Sequence, residues 1–280
     1  MENVAYCVFE TEHGVLNTRD NRDVRILSID GLGTAAVDIE TMHSPYAPGA
    51  MVIGKRQDVR VITMQLQAPK GYRPQMIKLF APGREGKLTV NWGGRTRYIG
   101  YVVQDAEVMQ ESVTRRLTVD ATLLCPDVYF NDMHDFGENI AAVVPLIAFP
   151  NLWYVDTGMV ADYRRFESAV ALQNDGDVPI GLKFNVRAAK GRVLNPVIYL
   201  SENVYFRVYV DMQPNDLLEI STVRRGKYVR LNGGNALNRT DMTSTFFEIE
   251  PGAHKVYYDA EDGMENMAIF LHRRPQYLGV

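Results

Sequence analysis

The sequence predicts a mainly β protein built from two β-domains, and three observations lead to this fold class. Residues 112–125 hold a long alternation of apolar and polar side chains, which is typical of a half-buried strand. Residues 166–271 hold about eight shorter alternating runs separated by turn residues. Between these regions, residues 131–163 show no periodicity. We therefore place a first domain at residues 1–130, and a connection with a second domain at residues 131–280.

Composition and charge are those of an ordinary globular protein. Apolar residues make up 46% and charged residues 23%, which allows a sizeable core. The net charge is −4, so no basic footprint predicts nucleic-acid binding. Cys7 and Cys125 lie in apolar strand patterns, which predicts buried free thiols rather than a disulfide. The N-terminus has no signal-like run and no long apolar segment follows, so we expect a soluble chain made in a cytoplasm.

Several first-domain segments alternate as strands do. These segments are residues 4–9, 24–29, 35–39, 58–67, 88–92 and 112–125. In the fourth segment the alternation changes phase between Val61 and Ile62, which predicts a β-bulge. The pair Gly93-Gly94 predicts a two-residue hairpin turn that places Trp92 opposite Arg95.

A short amphipathic helix is expected after the strand at residues 58–67. Pro74 suits the first helical position because its missing N–H needs no partner there. Met76, Ile77 and Phe80 follow at a spacing that puts them on one face. These three side chains are the predicted buried face of the helix.

Residues 41–57 are an apolar segment punctuated by proline and glycine, and we expect a projecting hairpin there. An exposed apolar hairpin has edges that another molecule must cover. A neighbouring copy of the chain can cover them by heterologous packing. Candidate subunit-interface residues are therefore Tyr46, Met51, Val52 and Ile53.

Residues 123–130 mark the predicted joint between the domains. Pro126 interrupts the long strand because proline cannot donate to a sheet ladder. Tyr129 and Phe130 then anchor the outgoing connection, so the domain-joint candidates are Pro126, Tyr129 and Phe130.

No catalytic, cofactor or metal site is predicted, and the protein is not expected to be an enzyme. The histidines are scattered, and residues 31–33 are too short for a dinucleotide loop. Asp175 and Asp177 could begin a calcium loop, but no glutamate completes it and a tight turn is favoured. Glu248 and Glu250 could form a hydrolytic pair, although a strand entering a turn explains them more simply.

The tyrosines of the second half leave an alternative open. Exposed aromatic rings can bind sugar or protein, whereas core and sheet-face rings need no such role. The tyrosines concerned are Tyr199, Tyr205, Tyr209, Tyr257 and Tyr258. The alternative function is therefore a carbohydrate-binding β-sandwich protein that acts at a bacterial cell surface.

Short motifs follow one another in a recognisable order along nearly the whole chain. In the first half they are residues 29–33, 48–50, 58–62, 86–90 and 97–99, followed by the joint at 124–130. In the second half they are residues 149–150, 174–179, 195–198, 216–220, 246–252 and 277–280. Their order and spacing resemble the distal tail proteins of long-tailed bacteriophages, a family that forms a ring at the tail tip.

The resemblance implies a specific architecture. The first domain would be a tail-tube-like β-sandwich or split barrel with one short helix, and it would close into a hexameric ring. The second domain would be a galectin-like β-sandwich at the periphery. The protein would be a structural virion component of the tail tip, without cofactor or metal, that joins the tail tube to the baseplate and host-adhesion apparatus.

The resemblance also implies partners. These are further copies in a homo-hexamer, the tail tube protein and the tail-tip hub or tail-associated protein, with the tape measure protein and receptor-binding proteins as further candidates. DNA would pass through the lumen without specific binding. The second half lacks a long insertion of the kind that builds an arm for receptor-binding proteins, which argues against direct anchoring. Relatives also occur in phage-derived contractile particles, so the particle type stays open.

Overall fold

The computed structural model describes residues 5–21, 23–43, 48–110, 116–139, 143–145, 162–164 and 169–280. The chain divides into two compact units. The first contains Met1–Met133 and Gln276–Val280, and the second contains His134–Pro275. The last five residues therefore lie in the first unit, whereas the sequence pattern places them with the second domain.

The first unit has a large sheet, a separate two-stranded sheet and one short helix. Its strands before the second unit are β1 (Tyr6–Thr11), β2 (Gly14–Asn17), β3 (Arg25–Asp30), β4 (Val37–His43), β5 (Ala50–Gln57), β6 (Arg60–Pro69), β7 (Glu85–Trp92), β8 (Arg95–Gln110), β9 (Arg116–Cys125) and β10 (Phe130–Asp132). A 3₁₀ turn at Lys70–Tyr72 leads into the helix α1 (Arg73–Leu79).

The second unit is built from short strands. They are β11 (Phe136–Asn139), β12 (Val143–Pro145), β13 (Asp162–Arg164), β14 (Ala169–Asn174), β15 (Ile180–Ala188), β16 (Val193–Ser201), β17 (Val204–Arg207), β18 (Asp211–Met212), β19 (Leu217–Ser221), β20 (Tyr228–Leu231), β21 (Gly234–Asn235), β22 (Glu248–Ile249), β23 (Gly252–Asp262) and β24 (Met267–Arg273). Two 3₁₀ turns lie at Leu237–Arg239 and Met264–Asn266. The chain then returns to the first unit as β25 (Gln276–Tyr277). The mainly β fold class is confirmed.

The large sheet of the first unit has the strand order β2-β1-β7-β8-β9-β6-β3, and β10 joins it between β8 and β25. In the strands that the structure describes, the two ends of this order do not pair with each other, so the sheet is open. One face is buried, because β6 and β9 alternate strictly between core and outer residues. Helix α1 covers this core, and Phe80 packs edge-on against Phe9 with ring centroids 5.3 Å apart.

The hairpin turn between β7 and β8 has the predicted register. Trp92 lies opposite Arg95, and the pairing continues to Glu85 opposite Val102. Gly93 and Gly94 have φ values of +59° and +83°, which a two-residue turn of this hand requires and which glycine adopts without strain.

The β-bulge predicted between Val61 and Ile62 is wrong. Strand β6 pairs with β9 without a register shift along its whole length. The error arose because Arg60, a charged residue, occupies the first buried position of the strand, with an exposed fraction of only 2%. Val59 and Val61 are the exposed residues beside it.

The second unit is a β-sandwich. One sheet has the order β11-β24-β15-β19-β20-β21, and the other has the order β14-β23-β16-β17. Their inner side chains form one core, in which Phe184 and Phe247 meet edge-on at 6.1 Å. Strand β24 pairs with β11 and β15, so it closes this unit and does not belong to the first.

Both cysteines are buried free thiols, as predicted. Burial raises the pKa of Cys7 and of Cys125 to about 12, so both stay protonated near neutral pH. In the part of the chain that the structure describes, no helix is long and apolar enough to cross a membrane.

The helix provides a test of the core. Met76 and Leu79 are buried, whereas Ile77 is 43% exposed, contrary to the predicted face. We expect Leu79→Ala to lower the free energy of unfolding by about 2–5 kcal/mol, because it leaves a cavity. The control Ile77→Ala should change it by only about 0.5 kcal/mol. Urea denaturation measures both, and equal losses would contradict this assignment.

Candidate functional site

Strands β4 and β5 form a hairpin that projects from the first unit as a sheet of its own. They pair from Val37 opposite Gln57 to His43 opposite Ala50, and the described strands offer them no other neighbour. Every residue of β4 is exposed. The hairpin expected within residues 41–57 is therefore present and starts four residues earlier. Tyr46 lies outside the described residues.

The hairpin displays apolar side chains on both faces. Met51, Val52 and Ile53 are 66%, 50% and 53% exposed, and successive strand residues point to opposite faces. The strand opposite adds the exposed residues Val37, Ile39 and Met42. A two-stranded hairpin alone is marginally stable in water, and exposed apolar patches mark interaction sites. The hairpin is thus a candidate interaction surface.

One region of the outer face of the large sheet is acidic, and we call this region the acidic face. Glu107 on β8 lies directly opposite Asp120 on β9. Gln65 on β6 donates a hydrogen bond of 2.8 Å to Asp120. A depression of about 250 Å³ on this face is lined by Ser28, Thr63, Met64, Gln65, Asp105, Glu107, Asp120, Ala121 and Thr122. No lysine or arginine is among these lining residues, so the depression repels anions. The overall net charge does not reveal this feature.

The root of the hairpin is held by the buried guanidinium of Arg60. Its Nη1 donates to the carbonyl oxygens of Gly31 and Gly33, which lie in the loop leading into β4. Its Nε donates to Val128 at 2.8 Å, and its Nη2 donates to Leu278 at 2.6 Å. One side chain thereby joins the hairpin root, the predicted joint and the C-terminal segment.

The environment of Arg60 is unusual for a cation. Its described hydrogen-bond partners are all backbone carbonyls, and the ring of Phe130 lies 4.7 Å from the guanidinium carbon. Burial lowers the pKa of Arg60 because it disfavours the charged form. Arginine nevertheless remains protonated in proteins. The four carbonyl dipoles and the aromatic face therefore compensate a buried charge.

The joint residues also contact the hairpin root. The hydroxyl of Tyr129 donates to the side-chain oxygen of Gln57, the last residue of β5. Phe130 is fully buried under Arg60, whereas Pro126 is exposed. Of the residues proposed for the joint, Tyr129 and Phe130 therefore belong to one cluster with the hairpin root. No sequence signal linked these segments.

Comparison with known protein families gives a match to part of the second unit. Residues 175–271 match the family model described as the C-terminal domain of a siphovirus-type tail component. The resemblance to phage distal tail proteins is confirmed. No curated protein sequence matches the chain.

The distal tail fold extends over the whole chain. The Dit protein of phage SPP1, described as a paradigm of the hub adsorption apparatus in phages that infect Gram-positive bacteria, superposes with a TM-score of 0.68 at 8% identity, covering 98% of this chain and 99% of that one. A chain of the phage P2 baseplate in its activated conformation with Ca has a TM-score of 0.54 at 11% identity, covering 99% and 100%. The same baseplate with Sr gives 0.52 at 10% identity, covering 96% and 98%. At these identities the likeness shows the fold.

The segments that carry the acidic pairs considered for chemistry are held by local contacts. The turn between Asp175 and Asp177 is built by Asn174, which accepts from the Gly176 amide and donates to Val178 and Ile249. Glu248 pairs with Arg224 at 3.0 Å. In the described ranges, no group of three or more His, Cys, Asp or Glu residues could hold a metal ion.

The tyrosines of the second unit make contacts within that unit. Tyr199 and Tyr257 stack on each other with centroids 5.3 Å apart, and Tyr258 is buried. Tyr209 donates to Asp241, and Tyr205 hydrogen-bonds Thr243. Packing accounts for Tyr258 and the stacked pair, whereas Tyr209 is 49% exposed and is held by a surface hydrogen bond.

Substitution of Arg60 tests the cluster. A lysine donates from a single nitrogen and cannot reach the four carbonyls, while a methionine leaves all of them unpaired. Because a buried carbonyl left without a donor costs about 1–3 kcal/mol, we expect Arg60→Lys and Arg60→Met each to lower the free energy of unfolding by about 2–4 kcal/mol. Denaturant unfolding is the measurement.

The matched control for Arg60 is Arg56→Met. The Arg56 side chain is 78% exposed and lies 3.8 Å from Asp38. Its removal should cost at most about 1 kcal/mol, as is usual for surface ion pairs. If the Arg60→Lys protein were as stable as the Arg56→Met control, the several donors of the Arg60 guanidinium would not be needed to hold the carbonyls together.

Proposed function

We propose that the chain is a structural component of the tail tip of a bacteriophage or phage-derived particle, where it forms a hexameric ring that joins the tail tube to the baseplate and host-adhesion apparatus. The observation that carries this proposal is the tail-component match of the second unit, combined with a distal tail fold over 98% of the chain. A structural role without catalysis agrees with the ion pair that Glu248 makes with Arg224.

Ring formation is supported by surfaces of the first unit that need a partner. The hairpin exposes apolar side chains, and the large sheet ends in the open strand β3. A groove of about 230 Å³ lies against this margin and is lined by Ala5, Tyr6, Cys7, Ile26, Leu27, Ser28, Ile29, Leu32, Val90, Asn91 and Trp92. A protruding apolar element and an apolar groove on one chain suit head-to-tail contacts between copies, which close into a ring.

The acidic face suits the wall of a lumen through which DNA passes. DNA carries a dense negative charge, and a surface without lysine or arginine in its depression gives no counterion release on contact. The proposed consequence is passage without specific binding. We place this face toward the ring axis and the hairpin toward the neighbouring copy.

The proposed location is the virion tail tip, after synthesis in the cytoplasm of the bacterial host. The ring would stack on the tail tube protein and on the tail-tip hub or tail-associated protein. The tape measure protein and receptor-binding proteins are further proposed neighbours. The similar structures are a hub protein and a baseplate chain of other phages, which supports this setting.

The hairpin gives the sharpest test of ring formation. We expect the triple substitution Met51→Ser, Val52→Ser and Ile53→Ser to abolish rings while the monomer keeps its melting temperature, because these side chains are exposed in the single chain. Loss of buried apolar area should weaken each contact by about tenfold or more. Mass photometry and negative-stain images measure the ring fraction.

The matched control for the hairpin is Met242→Ser in the second unit. Met242 is a fully exposed methionine outside the proposed interface. Its replacement should leave the six-fold rings unchanged. A wild-type chain that stays monomeric at high concentration, or a triple variant that still forms rings, would contradict the proposal.

A further inference from the structure

The C-terminal segment of residues 276–280, which we call the strap, is built into the first unit. Strand β25 pairs with β10, with Phe130 opposite Tyr277. The Gln276 side chain donates to Asn131 at 3.0 Å, and the Tyr277 hydroxyl donates to Asp132 at 3.1 Å. The strap is therefore an ordered part of the sheet, not a loose end.

The end of the strap lies on the loop at the hairpin root. The amide of Val280 donates to the carbonyl of Leu32 at 3.1 Å. Gly279 lies so close to this loop that a Cβ atom there would be 2.8 Å from the Leu32 oxygen. Arg97 holds the strap from the other side, because its guanidinium lies 3.4 Å from the Tyr277 ring centroid and donates to the Gly279 carbonyl.

Arg60 links the strap and the loop through a single side chain. Its Nη2 binds the Leu278 carbonyl of the strap, and its Nη1 binds the two glycine carbonyls of the loop. The loop itself has little freedom, since Gly31 has a φ of +88° and a Cβ atom there would lie 2.2 Å from the Val61 oxygen. Strap, arginine and loop thus form one hydrogen-bonded cluster, which we call the strap cluster.

The direction of the hairpin depends on the strap cluster. In the described residues, β4 and β5 have no sheet neighbour besides each other, so their orientation is determined where they leave the body. The outgoing leg leaves from the loop under the strap. The return leg is held by the Tyr129 bond to Gln57 and by the Asp58 amide, which donates to Ala36 at 3.3 Å.

We propose that the strap is a latch for the hairpin root, so that the first unit presents its hairpin for ring assembly only after the strap has docked. Residues 276–280 follow the whole second unit in the chain, so the latch cannot close before that unit has been synthesised. Premature association of unfinished chains through the apolar hairpin is thereby disfavoured. This inference rests on the proposed ring function for its assembly consequence, but not for the coupling between strap and hairpin.

The test displaces the strap gently in the full-length protein. Gly279→Ala places a methyl group against the Leu32 carbonyl, which must shift the strap or the loop. The matched control is Gly100→Ala on β8, where a Cβ atom meets nothing within 4 Å. Arg60→Lys is a second variant that breaks the link without touching the strap sequence. Hydrogen–deuterium exchange of residues 34–58 is measured on the monomer, and the ring fraction is measured by mass photometry.

We expect Gly279→Ala and Arg60→Lys to raise the exchange rate of the hairpin-root amides by about tenfold, because a small decrease in the free energy of local opening is enough for this change. Both variants should also reduce the ring fraction. The Gly100→Ala control should change neither quantity. Faster exchange in the strap with unchanged exchange in the hairpin would overturn the latch, as would normal rings in both variants. If the wild type forms no rings but the exchange of the hairpin rises as expected, the latch stands and the ring function fails.

Discussion

A buried guanidinium holds together the segments on which the first unit depends. Taking a charge out of water is unfavourable unless hydrogen bonds and nearby dipoles compensate it. For Arg60 the compensation comes from four backbone carbonyls and one aromatic ring. Because these carbonyls belong to the hairpin root, the joint and the strap, the charge is stable only when all three segments are in place. The three segments also depend on Arg60, since each of them has at least one carbonyl that accepts a hydrogen bond from it.

The sequence pattern predicts those structural features that depend on residues close together in the chain. The turn at Gly93-Gly94 and its register, the alternation of β9, and the presence of a hairpin near residues 41–57 all follow from local periodicity and turn chemistry. The exact buried face of α1 did not follow, because Ile77 and Leu79 are equally apolar and only packing against the sheet distinguishes them. Local pattern therefore predicts the elements better than it predicts their contacts.

The Arg60 cluster could not be predicted from local pattern. Its partners Gly31, Val128 and Leu278 lie 29, 68 and 218 residues away in the chain. A charged residue in an alternating strand is normally assigned to solvent, and that assignment produced the mistaken bulge in β6. The acidic face is non-local in the same way, because Glu107 and Asp120 become neighbours only through the pairing of β8 with β9. Opposed carboxylates destabilise a sheet, so their presence there points to a role outside the stability of the single chain.

Residues 123–130, which the sequence pattern predicts as the joint, have two roles in the first unit, and the division into units follows Met133. This segment ends the last long strand of the first unit, and its residues Tyr129 and Phe130 also fix the base of the hairpin. A subunit of the proposed ring would have to keep apolar side chains in water until a neighbour arrives, and it would have to present them in a defined direction. Both legs of the hairpin are attached to the predicted joint, the arginine and the strap. These attachments give the hairpin a defined direction and leave its apolar side chains exposed. The orientation of the proposed interface is thus determined by buried contacts at the hairpin root and not by contacts between the exposed side chains themselves.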